Sequence, residues 1–218
     1  MYFRFHKEIS TSAIIVFLLI IFFYFIYIPF FVFFLIILTF ILYFFRDPER
    51  TIPLGEDILV APADGLITNI TKLKIGKKNY TKISIFLSVF DVHIQRLPTS
   101  GKLEKIDYFE GKFLSATLDK SSDENERLTI SIKNSKGIIQ VTQIAGLIAR
   151  RIMCYIKEND DLAQGEQYGI IKFGSRVDLS FPEVYSINVA EGQRSIGGET
   201  IIAYDKKTLK QDRKFKTI

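Results

Sequence analysis

The 218 residues include a single cysteine, Cys154, and only two histidines, His6 and His93. One cysteine excludes an internal disulfide and fits a reducing compartment. It lies in the apolar run Ile152-Met153-Cys154-Tyr155-Ile156, which reads as the burial of a structural thiol. So few thiols and imidazoles also give no reason to expect a bound metal. Charge is missing altogether from Ile9 to Phe45, where no Asp, Glu, Lys, Arg or His occurs. No soluble core helix needs an apolar stretch of that length. The stretch also lacks the short apolar region and small-residue cleavage site of a secretory signal, so it is expected to stay on the protein. Lysine and arginine are scattered rather than clustered among stacking aromatics, which argues against a nucleic-acid surface.

The length has room for one ordinary domain and an appendage. The appendage is residues 1–45, a membrane anchor. Its run from Ala13 to Phe45 is long for one bilayer span of about 20 residues and short for two. Read as a break, Pro29 leaves arms at Ala13–Ile28 and Phe30–Phe45, each about 24 Å long. That geometry suits a shallow helical hairpin, the alternative being a single tilted span kinked at Pro29. Arg4 and Lys7 precede the run and Arg46 and Arg50 follow it, which puts both ends on the cytoplasmic side of the cell (inner) membrane. Of the formal net charge of +5, residues 46–218 carry +4, a balance that suits anionic lipid.

Residues 46–218 alternate short β-branched runs with turn signals. Strands are expected at Ile58–Val60, Leu66–Leu73, Lys82–Leu87, Leu103–Tyr108, Leu128–Lys133, Gly137–Ile144, Tyr168–Phe173 and Thr200–Tyr204, with a hairpin turn at Asn134-Ser135-Lys136-Gly137. Helix is scarce; Ala145–Ile152 has room for two turns at most. The expected fold is β-dominated α+β, with a closed or sandwiched antiparallel sheet. Residues 162–170 and 193–201 share a Gly-Glu turn leading into a strand. Such turns resemble those of biotinyl and lipoyl carrier domains, whose barrel-sandwich is then the implied architecture. No lysine occupies the turn where those carriers attach a cofactor, so the likeness concerns architecture alone.

Three places set polar groups among apolar ones. His93, in Ser88-Val89-Phe90-Asp91-Val92-His93-Ile94-Gln95-Arg96-Leu97-Pro98, is the sole histidine of the globular part and its candidate for proton transfer near neutral pH. Asp64 sits on the turn Ala61-Pro62-Ala63-Asp64-Gly65, and Ser175 follows a glycine in Phe173-Gly174-Ser175-Arg176-Val177-Asp178. A serine, a histidine and an aspartate would suit an activated nucleophile, although spacing does not bring them together. A hydrogen-bonded core histidine, an Asx turn and a bulge are the plain readings of the same residues.

Seven blocks occur in order: Phe45-Arg46-Asp47-Pro48-Glu49-Arg50, Pro62-Ala63-Asp64-Gly65, Phe90 to Arg96, Asn125-Glu126-Arg127, Gln143-Ile144-Ala145-Gly146, Ala149-Arg150-Arg151-Ile152 and Phe173-Gly174-Ser175-Arg176. Together, from about Phe45 to about Tyr204, they resemble the short-form phosphatidylserine decarboxylase proenzymes. The resemblance implies self-cleavage between Gly174 and Ser175 into residues 1–174 and 175–218, which stay associated. Ser175 would attack the Gly174 carbonyl, activated by His93 with Asp64 orienting or charging it, and would end as a covalent pyruvoyl cofactor. That ketone would form a Schiff base with phosphatidylserine and yield phosphatidylethanolamine and carbon dioxide. Longer members resemble His-x-x-His where this chain has His93 and Arg96, as short forms do, so His93 could serve self-cleavage, decarboxylation or both. Arg96, Arg150, Arg151 and Arg176 are candidates for the lipid's phosphate or carboxylate. The resemblance also allows a homo-oligomer. Two other readings stand beside it: the same chemistry on another serine lipid, such as an ether-linked one, and a non-catalytic, membrane-tethered lipid-binding β-domain.

Overall fold

The computed structural model describes residues 4–112, 124–146, 151–172, 175–207 and 214–218. They fall into two compact units, Met1–Pro48 and Glu49–Ile218.

In the first unit a 3-10 turn at Lys7–Ile9 leads into helix α1 (Ser10–Ile26), and α2 (Ile28–Phe44) follows after one extended residue, Tyr27. The chain therefore breaks two residues before Pro29. The proline falls in the first turn of α2, where its missing N–H would have had no helical partner anyway. The helices form a hairpin: Phe23 stacks on Phe34 with ring centroids 5.3 Å apart, and His6 N–H donates to the Phe45 carbonyl at 2.9 Å. Both helices are apolar on every side, and most of their large side chains are exposed. The stretch Lys7–Ile26 is long and apolar enough to cross a membrane, while Ile28–Phe44 is a shorter apolar helix. An all-round apolar helix needs lipid or protein around it.

In the second unit the strands, in chain order, are β1 (Thr51–Leu54), β2 (Ile58–Val60), β3 (Gly65–Ile75), β4 (Lys78–Leu87), β5 (Ile94–Arg96), β6 (Gly101–Phe109), β7 (Arg127–Asn134) and β8 (Gly137–Ile144). After them come β9 (Ile152–Cys154), β10 (Asp161–Leu162), β11 (Gln167–Ile171), β12 (Ser175–Pro182), β13 (Tyr185–Ile187), β14 (Arg194–Ser195), β15 (Ile201–Asp205) and β16 (Lys214–Thr217). Eight of them form one antiparallel sheet in the order β10-β6-β7-β8-β12-β4-β3-β14, which curls as a half-barrel. Strands β5, β11 and β9 make a second sheet, β13, β15 and β2 a third, and β1 pairs with β16. The β7–β8 hairpin turns where expected, with Asn134 Oδ1 accepting the N–H groups of Lys136 and Gly137. Ile152, expected from the sequence at the end of a short helix, opens β9 instead, and residues 147–150 lie outside the described ones.

Two segments that resemble each other in sequence are held in matched fashion. Gly165 N–H donates to the Leu97 carbonyl and Gly198 N–H to that of Ala61, both at 2.8 Å. Val60 N–H reaches the Pro98 carbonyl and Arg96 N–H the Pro62 carbonyl, both at 2.9 Å. Val60–Pro62 and Arg96–Pro98 thus exchange bonds as a local pair. Gly165 (φ +81°) and Gly198 (φ +82°) adopt left-handed turns that press on Ile52 from two directions, where an added Cβ would stand 2.6 and 2.5 Å from it.

Candidate active site

Ser175 is the first residue of β12, the central strand of the large sheet, and pairs with Leu87 at the end of β4. Its side chain lies on the same face as those of Val177, Leu179 and Phe181, which are all fully buried core residues. The Ser175 hydroxyl is itself buried and has no hydrogen-bond partner among the described residues. A hydroxyl so placed is costly unless it is used.

From the Leu87–Ser175 pair, two connections run to the second sheet. Residues 88–93 lead from β4 to β5, and residues 172–174 join β11 to β12. At the far side Ile94 pairs with Ile170, and Ile171 N–H donates to the His93 carbonyl at 3.4 Å. His93 therefore lies on one of two connections whose ends are tied together, and Ser175 stands where the other enters β12. Gly174, on the second of them, lies outside the described residues.

The loop carrying His93 is folded on Asp91. One carboxylate oxygen of Asp91 accepts the Ser88 N–H and hydroxyl, each at 2.8 Å, and the other takes the Arg194 guanidinium. His93 is fully buried, and its Nδ1 lies 2.9 Å from the Asp91 carbonyl oxygen. A carbonyl only accepts, so Nδ1 carries a hydrogen, and in the neutral form of the ring the basic lone pair is on Nε2. Gln95 Nε2 donates to the His93 carbonyl at 2.7 Å, and Gln143 Nε2, from β8, donates to Gln95 Oε1 at 2.9 Å. Both amides are fully buried.

Asp64 occupies a different setting. Its carboxylate accepts from one Arg50 guanidinium nitrogen with both oxygens, at 3.0 and 2.8 Å, and from the Gly197 N–H at 2.7 Å. The Asp91 carbonyl is thus a hydrogen-bonding group at the imidazole, whereas Asp64 is held by Arg50. Among the arginines, Arg96 is buried and donates to the Gly165 carbonyl at 3.1 Å. Arg176 forms a buried bidentate pair with Asp178, at 2.6 and 2.8 Å, on the opposite face of β12 from Ser175. Arg151 is exposed, and Arg150 lies outside the described residues. Burial raises the Cys154 thiol pKa, as expected of a structural thiol, and holds the phenol of fully buried Tyr168 well above its usual range.

Asp91, Gln95 and Gln143 lie within motifs that the sequence marks without giving them roles, and Arg50 reads there only as a charge flanking the anchor. For the first three a signal is available: each is a polar side chain in a segment otherwise destined for the core.

A β-domain with a buried serine and histidine on joined connections, preceded by an apolar helical hairpin, has the outline of an enzyme with a hydrophobic appendage. Residues 37–203 match the family described as phosphatidylserine decarboxylase. The chain is also 49% identical over 168 residues to the phosphatidylserine decarboxylase proenzyme of Saccharopolyspora erythraea, covering 74% of this chain and 71% of that protein. The chain belongs to the phosphatidylserine decarboxylase family, and it is a decarboxylase, a carboxy-lyase.

Proposed function

We propose that the chain is the precursor of a self-processing, pyruvoyl-dependent enzyme that decarboxylates phosphatidylserine to phosphatidylethanolamine. The observation that supports this best is the Ser175 hydroxyl: buried, without a partner among the described residues, directly after a glycine and at the head of β12, the strand that follows β11, whose Ile171 bonds the His93 carbonyl. With its lone pair on Nε2, His93 takes the hydroxyl proton as Ser175 Oγ attacks the Gly174 carbonyl and displaces the residue 175 nitrogen. The resulting ester breaks by elimination. The Ser175 α-proton leaves, the Cβ–Oγ bond breaks, and Gly174 departs as a carboxylate. The dehydroalanine at 175 tautomerises, takes up water and releases ammonia, which leaves a pyruvoyl ketone. Asp64 supports this step through its charge, and Asp91 orients the imidazole.

The apolar setting at the head of β12 fits that group, which is small, uncharged and made from the chain itself. Once formed, the ketone at 175 would supply an electron sink for the loss of carbon dioxide from the lipid's serine headgroup. His93 returns a proton to the carbon that lost the carboxylate. Arg96, Arg150, Arg151 and Arg176 stay as candidate anion ligands, with Arg176 and Arg96 already engaged by Asp178 and Gly165.

The anchor keeps the catalytic unit at the cytoplasmic face of the membrane. Arg4, Lys7 and Arg46 supply the flanking charge, because Arg50 is committed to Asp64 inside the domain. The matched bonds around Gly165 and Gly198 support a barrel-sandwich architecture like that of biotinyl and lipoyl domains.

Intact-mass analysis tests the proposal. Purified protein should give a fragment ending at Gly174 and a fragment 175–218 with a blocked amino terminus, and Ser175→Ala should stay whole. Cleavage of Ser175→Ala at this bond would refute the scheme, and an assay on lipid extracts reads the headgroup preference.

A further inference from the structure

One buried group near Ser175 has no role in the steps above. Gln143 Oε1 is fully buried and has no hydrogen-bond partner among the described residues. Gln143 pairs with Val177, so it is the diagonal cross-strand neighbour of Ser175 on the same face of the sheet. Such diagonal positions stand roughly 7–8 Å apart, within reach of a long side chain.

The orientation of its amide is fixed by its neighbours. Gln95 Nε2 must donate to the His93 carbonyl, so Gln95 Oε1 faces Gln143 and demands a donor from it. Turning the Gln143 amide over would set oxygen against oxygen. On its other side the amide packs on the bare backbone of Gly169, where a Cβ would come within 3.0 Å of Nε2. The cross-strand partners on either side of Gln143 are Val177 and Leu128, which offer no donor. The fold thus keeps a buried hydrogen-bond acceptor, without a partner among the described residues, on the sheet face that carries residue 175.

We propose that Gln143 Oε1 receives the amine of the incoming serine headgroup and aims its nitrogen at residue 175, an inference that rests on the pyruvoyl reading. A ketone at 175 has only acceptors and cannot satisfy that oxygen, whereas the substrate brings a donor. In a phosphoserine headgroup at neutral pH the carboxylate and the phosphodiester accept only, and the ammonium donates only. A fixed acceptor therefore attracts the amine and repels the carboxylate, so the headgroup enters nitrogen first.

The test uses the full-length matured enzyme in detergent, with short-chain phosphatidylserine and cyanoborohydride to capture the lipid amine on residue 175. Capture is read by intact mass, and phenylhydrazine labelling serves as a parallel measure of the ketone. Gln143→Met should be cut and take phenylhydrazine like the wild type, yet capture the lipid about tenfold more slowly or worse, since a hydrogen bond to a charged group is lost. Its KM for turnover should rise as well. Lipid capture at the wild-type rate would overturn the proposal, and so would equal losses with lipid and hydrazine, which would mark a purely structural amide. If Gln143→Met does not mature, Gln95→Met, which leaves the oxygen but removes its aim, goes through the same comparison, and the same two results would overturn the proposal. A wild-type protein that takes no hydrazine would instead refute the pyruvoyl reading.

Discussion

Removing Arg50 separates two roles that Asp64 could have. The Arg50 and Asp64 side chains are 9% and 16% exposed, so water screens their ion pair only weakly. Removing one member of a largely buried pair costs about 3–5 kcal/mol, because the other charge is left without compensation. Against a total stability of about 5–15 kcal/mol for a typical domain, Arg50→Met should remove a large share. Part of the loss should be softened by the Gly197 N–H, which still donates to the carboxylate. The double variant Arg50→Met with Asp64→Asn removes both charges and should recover much of that stability. Chemical denaturation in detergent measures the stabilities, and the fraction of cut chain on a gel measures processing. If Asp64 supports self-cleavage by its charge, the double variant is folded and poorly cut. Wild-type cutting in a folded double variant would show that Asp64 serves only as the partner of Arg50. A loss below about 1 kcal/mol for Arg50→Met would refute the pair's assigned weight, since that is the range of exposed ion pairs.

Two further outcomes follow from buried polar groups. Tyr168→Phe removes a hydroxyl that is fully buried without a partner among the described residues, so thermal unfolding should show stability unchanged or raised by about 1 kcal/mol. Asp205 has its pKa lowered by the Lys136 side chain first and the Lys207 N–H second, so its stabilising contribution is present above the ordinary carboxylate range near 4 and fades as pH falls through the lower folded-state value. Lys136→Met should accordingly be less stable than the wild type near pH 7, with the difference closing in acid, as melts across a pH series would record.

Much of the β-domain is legible because strand runs and turn residues are local signals. Gly137–Ile144 coincides with β8, and seven other expected strands fall on β2, β3, β4, β6, β7, β11 and β15. Strand β12 is harder to read. Its alternation of Ser175, Val177, Leu179 and Phe181 with Arg176, Asp178 and Ser180 suggests one solvated face, yet both faces are buried because Arg176 and Asp178 pair with each other. The helix break has a similar cause: Pro29 draws attention as a breaker, while Tyr27 makes the turn and the proline starts the next helix. In the site, Ser175 and His93 stand out by type, because each is the rare reactive group of its segment. The partner of Asp64 does not stand out, since nothing local links Arg50 to it across 14 positions. The Gln143–Gln95 relay is equally silent in sequence, as it depends on two sheets meeting.

The location of Ser175 also bears on what a cut there would do. Everything from β12 to β16 lies after the proposed bond, and these strands are interleaved with those before it. Strand β12 lies between β4 and β8, β14 pairs with β3, β15 with β2, and β16 with β1. The fragment 175–218 would also keep Val177, Leu179, Phe181 and Ile202 in the core, all fully buried. At about 1.5–3 kcal/mol for each such side chain, these four alone oppose separation by roughly 6–12 kcal/mol, before any of the ladder hydrogen bonds is counted. A new terminus at residue 175 would thus be held by β4, with β8 pairing from Arg176 onward, rather than left to fray, which suits a reactive group that must keep one position. The expected outcome is that both fragments of the cut protein elute together in size-exclusion chromatography in mild detergent and part only in denaturant. Release of 175–218 under native conditions would contradict this account of what holds the halves together.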